Sequence, residues 1–326
     1  MSHGKSISVA MCTYNGEKFL REQLESIAAQ TRLPTELLVC DDKSTDSTVE
    51  ILQSFADSAP FPVNIHINPV NVGGSAKGIT KNFETTVSRC TGKLIVPCDQ
   101  DDVWSPQKLA HLARTMEENP QLGGVFSDAQ LINDLGRPKG VLLSKTAGLT
   151  LDEQERLSRG DALPVLLSMT KVYGCTLMFD SRLLEKILPV PPHWWFDAWV
   201  ACMVGIHSKL EFVPEPLFSY RIHATQSVSA SLPTISDRVK RWRQSSREYW
   251  KEAEPQLTDL YSRLAAENNP NIKSHLKYIR GRMELLRFRA ELPSNPLSRA
   301  IKIVPKTGDY YRYFNGWRSM VKDLTA

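Results

Sequence analysis

An α/β fold, a mostly parallel central sheet with helices on both faces, is what this sequence predicts, and three observations predict it. Apolar runs alternate with stretches of helical periodicity through the first hundred residues. Those runs are continuous rather than alternating, as in strands buried on both faces. Three of them stop at a polar or acidic cluster, Thr13-Tyr14-Asn15, Asp41-Asp42 and Asp99-Gln100-Asp101-Asp102. Ligands of such sheets sit beyond the carboxyl ends of the strands. Three clusters on one rim therefore mark a binding edge.

Residues 6–11 form the first strand, which breaks at Cys12-Thr13-Tyr14-Asn15-Gly16. Over 17–30, Phe19, Leu20, Leu24, Ile27 and Ala28 recur at helical spacing. Residues 37–40 are a buried strand, and 47–55 a helix that Ser44, Thr45 or Asp46 would cap. A third strand at 63–67 leads through the loop Asn68-Pro69-Val70-Asn71-Val72-Gly73-Gly74 into a helix at about 75–89. Further strands are read at 123–129, with Asp128 at its end, and at 173–179, while 134–162 reads as a loop with a short helix.

The stretch Gly92-Lys93-Leu94-Ile95-Val96-Pro97-Cys98-Asp99-Gln100-Asp101-Asp102-Val103-Trp104 organises the rest. An apolar run bounded by Gly92 and Pro97 is followed by three carboxylates within four residues. Like charges that close repel and are costly to desolvate, so something positive belongs among them. A hard divalent cation suits, since Mg²⁺ takes one or two carboxylates and completes its shell with water and phosphate oxygens. The other reading is a solvated acidic turn before the helix that Ser105-Pro106 opens. A second stretch, Pro191-Pro192-His193-Trp194-Trp195-Phe196-Asp197-Ala198-Trp199, sets one carboxylate among three Trp and a Phe. Apolar surroundings raise a carboxylate toward the range useful for a general base. Asp197 could instead cap the helix at 198–206.

Composition narrows the classes. The 326 residues, 41% apolar and 23% charged, fit a soluble globular chain of two domains, or of one with an appendage. No apolar run approaches the roughly 18 residues of a spanning helix, and no basic-then-apolar leader opens the chain, so a cytoplasmic location is expected. Six cysteines (Cys12, Cys40, Cys90, Cys98, Cys175, Cys202) include no Cys-x-x-Cys pair, which argues against zinc. The net charge of +4 divides into −6 over 1–237 and +10 over 238–326, an acidic body with a basic helical tail.

Four pieces carry a resemblance. Val9-Ala10-Met11-Cys12-Thr13-Tyr14-Asn15-Gly16, Val39-Cys40-Asp41-Asp42-Lys43-Ser44-Thr45-Asp46, Asn71-Val72-Gly73 with Lys81-Asn82, and Asp99-Gln100-Asp101-Asp102-Val103-Trp104 occur in the order and spacing of bacterial family 2 glycosyltransferases. Residues 6 to about 230 resemble these inverting enzymes of the GT-A fold, which use a nucleotide-sugar donor. The spelling of the last piece is similar to rhamnosyl- and glucosyltransferases of surface-polysaccharide assembly. The resemblance implies a catalytic domain at 1–235, with nucleotide-sugar binding at about 6–130 and the acceptor side at about 131–235, then a basic helical region at 236–326.

It also implies roles. Tyr14 would stack near the base, Thr13 and Asn15 would line its pocket, and Asp42 would accept the base N–H or else cap a helix. Lys81 stands where the family usually has Arg, and would contact ribose or base without a planar fork. Asp99 would face the ribose. Asp101 would ligate Mg²⁺ or Mn²⁺, with Asp102 a ligand or a support behind it. Asp197 would be the catalytic base, and Trp194 and Trp195 would meet the acceptor sugar. Arg221 would contact the acceptor or the body of the fold, and His223 the diphosphate, the metal or neither.

The implied reaction moves a hexose or 6-deoxyhexose from a UDP- or dTDP-sugar to a saccharide hydroxyl. The acceptor would be lipid-linked, in O-antigen, capsule or exopolysaccharide assembly. Basic helices with Tyr310, Tyr311, Tyr313, Phe314 and Trp317 would let the tail meet an anionic inner-membrane surface, or else pack with a solvated basic face. Two rivals remain. A sugar nucleotidyltransferase would need a triphosphate loop, for which Gly73-Gly74-Ser75-Ala76-Lys77 is the candidate, and a non-enzymatic binder of anionic polymers would use the tail. No nucleic-acid partner is expected, given the −6 body.

Overall fold

The structure is a computed structural model that describes residues 4–223, 226, 246–267 and 269–325. The chain divides into two units, Met1–Ser231 and Leu232–Ala326. In the first, chain order runs β1 (Ile7–Thr13), α1 (Leu20–Ala28), β2 (Glu36–Asp41), α2 (Thr48–Ala56), β3 (Val63–Ile67), α3 (Ala76–Val87), β4 (Leu94–Cys98), β5 (Val103–Trp104) and α4 (Lys108–Glu118). There follow β6 (Leu122–Asn133), β7 (Pro138–Leu142), α5 (Leu143–Thr146), α6 (Leu151–Ser158), α7 (Ala162–Leu166), β8 (Leu177–Asp180), α8 (Leu184–Ile187), α9 (Phe196–His207) and β9 (Lys209–Ile222).

The described strands form one mixed sheet in the order β3-β2-β1-β4-β8-β6-β9-β5, with β7 beside β6. The first four strands are parallel, and β8 runs antiparallel between β4 and β6. This is a GT-A fold. Every residue of β2 and β4 is buried, which is why their sequences read as unbroken apolar runs. β3 lies at the sheet edge and is half-exposed throughout. Ile7, Val9, Met11, Leu37, Val39, Leu94 and Val96 meet Leu20, Leu24 and Ile27 of α1 and Leu109 and Leu112 of α4 in one core.

Several boundaries differ from the sequence reading. Pro97 lies inside β4, tolerated because pairing with β8 stops at Ile95. The strand at 123–129 extends to Leu122–Asn133, which puts Asp128 mid-strand at a bulge against β9. Its carboxylate accepts from Ser144 N at 2.9 Å and Ser144 Oγ at 2.5 Å, tying β6 to α5. The strand expected at 173–179 is confined to Leu177–Asp180, behind a 3₁₀ turn at Gly174–Thr176. Residues 134–162 hold a strand and two helices rather than a loop with one.

The second unit contains α10 (Ser246–Ala266), α11 (Lys273–Ala290), α12 (Pro296–Ile303), α13 (Thr307–Tyr313) and α14 (Trp317–Thr325). Residues 236–245 of the expected helical region lie outside the described residues. Leu285, Ile303, Tyr310 and Tyr313 form its core, so Tyr310 and Tyr313 are packing residues and not interface aromatics. Part of the basic charge is internal too. Arg289 makes two hydrogen bonds to Asp323, at 2.6 and 3.1 Å, and the Tyr310 hydroxyl donates to the same carboxylate at 2.6 Å.

Removing one partner of a buried ion pair strands the other. Arg289→Leu is expected to cost about 3–5 kcal/mol in urea denaturation of the full chain, against under about 0.5 kcal/mol for the exposed Lys302→Gln.

Candidate active site

Three loops meet beyond the carboxyl ends of β1, β2 and β4, and side chains lock them together. In the loop after β1, Tyr14 N–H donates to Gln100 Oε1 at 2.8 Å, and Gln100 Nε2 donates back to Tyr14 O at 3.0 Å. A Cβ added at Gly16 would push the Gln100 amide aside and break its two bonds to Tyr14. Asn15 is left-handed (φ 46°), and its Oδ1 accepts from Thr45 N at 2.8 Å. Thr13 Oγ1 donates to Asp41 Oδ2 at 2.8 Å. Asp42 holds the loop after β3 through Val72 N at 2.8 Å and Gly73 N at 3.2 Å, while Asn68 Nδ2 donates to it at 3.1 Å. Asp46 accepts from Thr48 N at 3.0 Å at the start of α2.

The acidic loop between β4 and β5 has fixed counter-charges beneath it. Lys108, the first residue of α4, is fully buried, and its Nζ donates to Cys175 O at 2.6 Å. That ammonium lies 3.8 Å from the Trp104 ring centroid and 4.4 Å from that of Phe218. Burial pulls Lys108 down to about 8, with Asp102 and Asp99 pushing the other way. Arg221, near the end of β9, donates from its backbone to Asp102 Oδ1 at 3.0 Å and from Nε to Asp101 O at 2.7 Å. Its remaining nitrogens reach Glu22, Asn133 O and Asp134 O.

The carboxylates feel each other. Enclosure pushes Asp99 up to about 7, and the charge of Asp101 adds to the shift. Asp102, buried, is pushed well above the carboxylate range by desolvation and then by Asp101 and Asp99. Its Oδ2 has no hydrogen-bond partner among the described residues. Asp101 turns outward, with Oδ2 2.8 Å from His223 Nε2.

A cavity of about 560 Å³ brings these groups together with the second stretch. Thr13, Tyr14, Asn15, Asp42, Asp99, Asp101, Trp195, Asp197 and His223 all line it, as do Asn82, Tyr173 and Tyr220. Asp197 sits in the first turn of α9, where its Oδ1 accepts from Ala198 N at 2.7 Å. Burial pushes its carboxyl up to about 6, against the pull of backbone N–H groups at Ala198 and Gly174.

A family model described as glycosyl transferase family 2 matches residues 8–163. An uncharacterised glycosyltransferase of Nostoc is 27% identical over 242 residues, covering 72% of this chain and 70% of the relative. The dTDP-rhamnosyl transferase RfbG of Shigella flexneri is 35% identical over 99 residues, 30% of this chain and 34% of the relative. Across the first relatives matched, the chain spans 59 to 70% of their length. The match to glycosyl transferase family 2 takes in just under half of the chain. The fold agrees. S. aureus TarS 1–349 in complex with UDP-GlcNAc superposes with a TM-score of 0.59 at 15% identity, over 98% of this chain and 81% of that one. A Pyrobaculum calidifontis mannosyltransferase in complex with GDP-Man and Mn²⁺ gives 0.50 at 15% identity, over 99% and 85%.

Of the residues singled out in this glycosyltransferase, Lys81, Asp102, Trp194 and Arg221 do not line the cavity. Lys81 extends from α3 with its side chain 62% exposed and pairs with Glu84 at 3.2 Å. Its neighbour Asn82 turns inward instead, donating to Cys40 O at 3.1 Å and accepting from Asn68 at 3.0 Å. Trp194 is buried, its ring edge-on to Trp199 at 5.4 Å. Arg221 is committed to the body of the fold. Asp102 and Asp99 do converge with the Cys175 thiol, their ligand atoms within 4.8 Å of one another. Burial holds that thiol protonated, however, and a thiol is a poor ligand for a hard cation. Asp101 with His223, on the cavity wall, suits Mn²⁺ or Mg²⁺ better. Lys108 and Gln100 escaped the sequence reading, though a lysine one turn after an acidic loop was a signal for the first.

Asp42 fastens the 71–74 loop through its two carboxylate oxygens. Asp42→Ala is expected to weaken UDP or dTDP binding about tenfold in calorimetric titration, since each charge-assisted bond to a carboxylate is worth roughly 1.5–3 kcal/mol and water replaces part of it.

Proposed function

We propose that this glycosyltransferase moves a hexose or 6-deoxyhexose from a UDP- or dTDP-sugar to a hydroxyl of a saccharide acceptor, with inversion at the anomeric carbon. One observation carries the reading: a single cavity is lined at once by the loops suited to a nucleoside, by Asp101 with His223, and by Asp197. The nucleotide-sugars named with TarS and the archaeal mannosyltransferase, and the dTDP-rhamnose link of RfbG, support the donor class.

Tyr14, 44% exposed at the mouth, offers its ring to the base, and Asn15 and Thr13 border the same space. Asp99 faces the ribose. Asp101 and His223 would hold Mg²⁺ or Mn²⁺, which when bound neutralises charge on the departing diphosphate. Trp195 gives an acceptor sugar an aromatic surface. The acceptor hydroxyl loses its proton to the Asp197 carboxylate as its oxygen attacks the anomeric carbon from the face opposite the leaving group. One base and one displacement invert the centre. We read the acceptor as a lipid-linked saccharide of surface-polysaccharide assembly, handled in the cytoplasm. No described helix is long and apolar enough to cross a membrane. Proton NMR of the product, started from an α-linked donor, tests the reading: a β-linkage is expected, and an α-linkage contradicts it.

Asp197 works only when deprotonated. Its raised pKa places that form above about 6. The logarithm of kcat/KM should therefore be flat above that pH and fall with unit slope below it, whereas an ordinary carboxylate would hold activity to about pH 4. Asp197→Asn should lower kcat about 10²–10⁴-fold while leaving donor affinity unchanged in the same assay. Chelation should abolish turnover, and added Mn²⁺ or Mg²⁺ should restore it in the wild type but not in Asp101→Ala.

A further inference from the structure

The helical unit carries a surface that glycosyl transfer does not use. Leu297, Ile301 and Val304 follow the i, i+4, i+7 spacing along α12 and the 3₁₀ turn after it, which puts them on one side. They are 77, 74 and 66% exposed. The other side of the same helix is Ile303, 1% exposed in the core with Tyr310. Tyr311 and Trp317 stand out at 61 and 58%. Single exposed apolar residues need no explanation, but three aliphatics along one side of a helix do, and the next two helices each add an exposed aromatic.

The charge around the stripe has one sign. Lys302, Lys306, Arg312 and Arg318 are exposed. From 293 to 326 six Lys and Arg face only Asp309 and Asp323, and Asp323 is buried against Arg289. Lys306 pairs with Asp309 at 3.2 Å, an exposed pair that an anionic surface can replace.

We propose that this stripe is a docking face for an anionic lipid surface, with Leu297, Ile301 and Val304 entering the headgroup boundary, Tyr311 and Trp317 at its level, and the four cations on lipid phosphates. Charge complementarity selects this occupant. A two-fold contact between copies would set the same cations against one another. Within the basic tail the contact is confined to α12–α14, since Arg282 and Arg289 of α11 are buried.

Co-sedimentation of the full chain with vesicles tests it, with no sugar donor present, so the outcome is separate from the reading of the catalytic unit. The wild type should sediment with phosphatidylcholine vesicles containing phosphatidylglycerol, far less with phosphatidylcholine alone, and less as salt is raised. Leu297→Ser/Ile301→Ser/Val304→Ser should lose retention altogether. Lys302→Gln/Arg312→Gln should weaken it about 25-fold, roughly fivefold for each cation at about 1 kcal/mol. Both variants should melt like the wild type, and the charge variant decides the matter if the triple variant does not fold. A wild type that stays in the supernatant overturns the proposal, as does equal retention of the variants. An oligomer that the triple variant dissociates also overturns it, since a second copy would then be the occupant.

Discussion

The architecture depends on balancing negative charge where β4 ends. Asp99, Asp101 and Asp102 follow one another within four positions, and Asp197 adds its field to Asp99. Charges of one sign in a partly enclosed site are tolerated only if cations face them. The chain supplies two that stay in place. Lys108 lies below the loop, wedged between Trp104 and Phe218. Arg221 reaches it from β9 and also fastens α1 and the β6–β7 turn. These buried cations hold the root of the loop. The carboxylate of Asp101 lies on the cavity wall instead, its Oδ2 2.8 Å from His223 Nε2. Structural balance is thereby separated from the balance that a substrate must complete.

The same separation orders the cavity. Its end beside β1 and β2 is braced by side chains that cross between loops, with Gln100 on Tyr14, Asn15 on Thr45 and Asp42 on Val72. Its other end is aromatic and nearly free of charge, with Tyr173, Trp195, Phe196 and Tyr220 around the lone Asp197. An environment that resists ionisation moves a carboxylate toward use as a base near neutral pH. A polar rim and an aromatic wall thus share one space.

The parallel half of the sheet was legible because β1, β2 and β4 are buried on both faces and their sequences show nothing else. The other half, where β8 runs antiparallel and β9 pairs with β6 in parallel, was not. β9 holds Pro214 and Pro216, and both fit where its pairing with β6 shifts register around Asp128. That irregularity depends on a partner far off in sequence. The loop residues Thr13, Tyr14, Asn15, Asp42, Asp99 and Asp101 were legible for the opposite reason, since each lies within a few positions of a strand end. Arg221 was ambiguous because its ligands, Glu22 and Asp101, come from distant segments. Lys81 does not line the cavity, whereas its neighbour Asn82 turns inward and does. In the helical unit composition misled, since a count of arginines does not reveal that Arg289 is buried on Asp323.

Electron paramagnetic resonance of Mn²⁺ titrated onto the protein, with and without UDP or dTDP, probes the claim about Asp101 and His223 most directly. Nucleotide should tighten Mn²⁺ binding at one site, and His223→Ala should weaken that site without altering the fold by circular dichroism. Mn²⁺ binding that ignores both nucleotide and His223 would contradict the account.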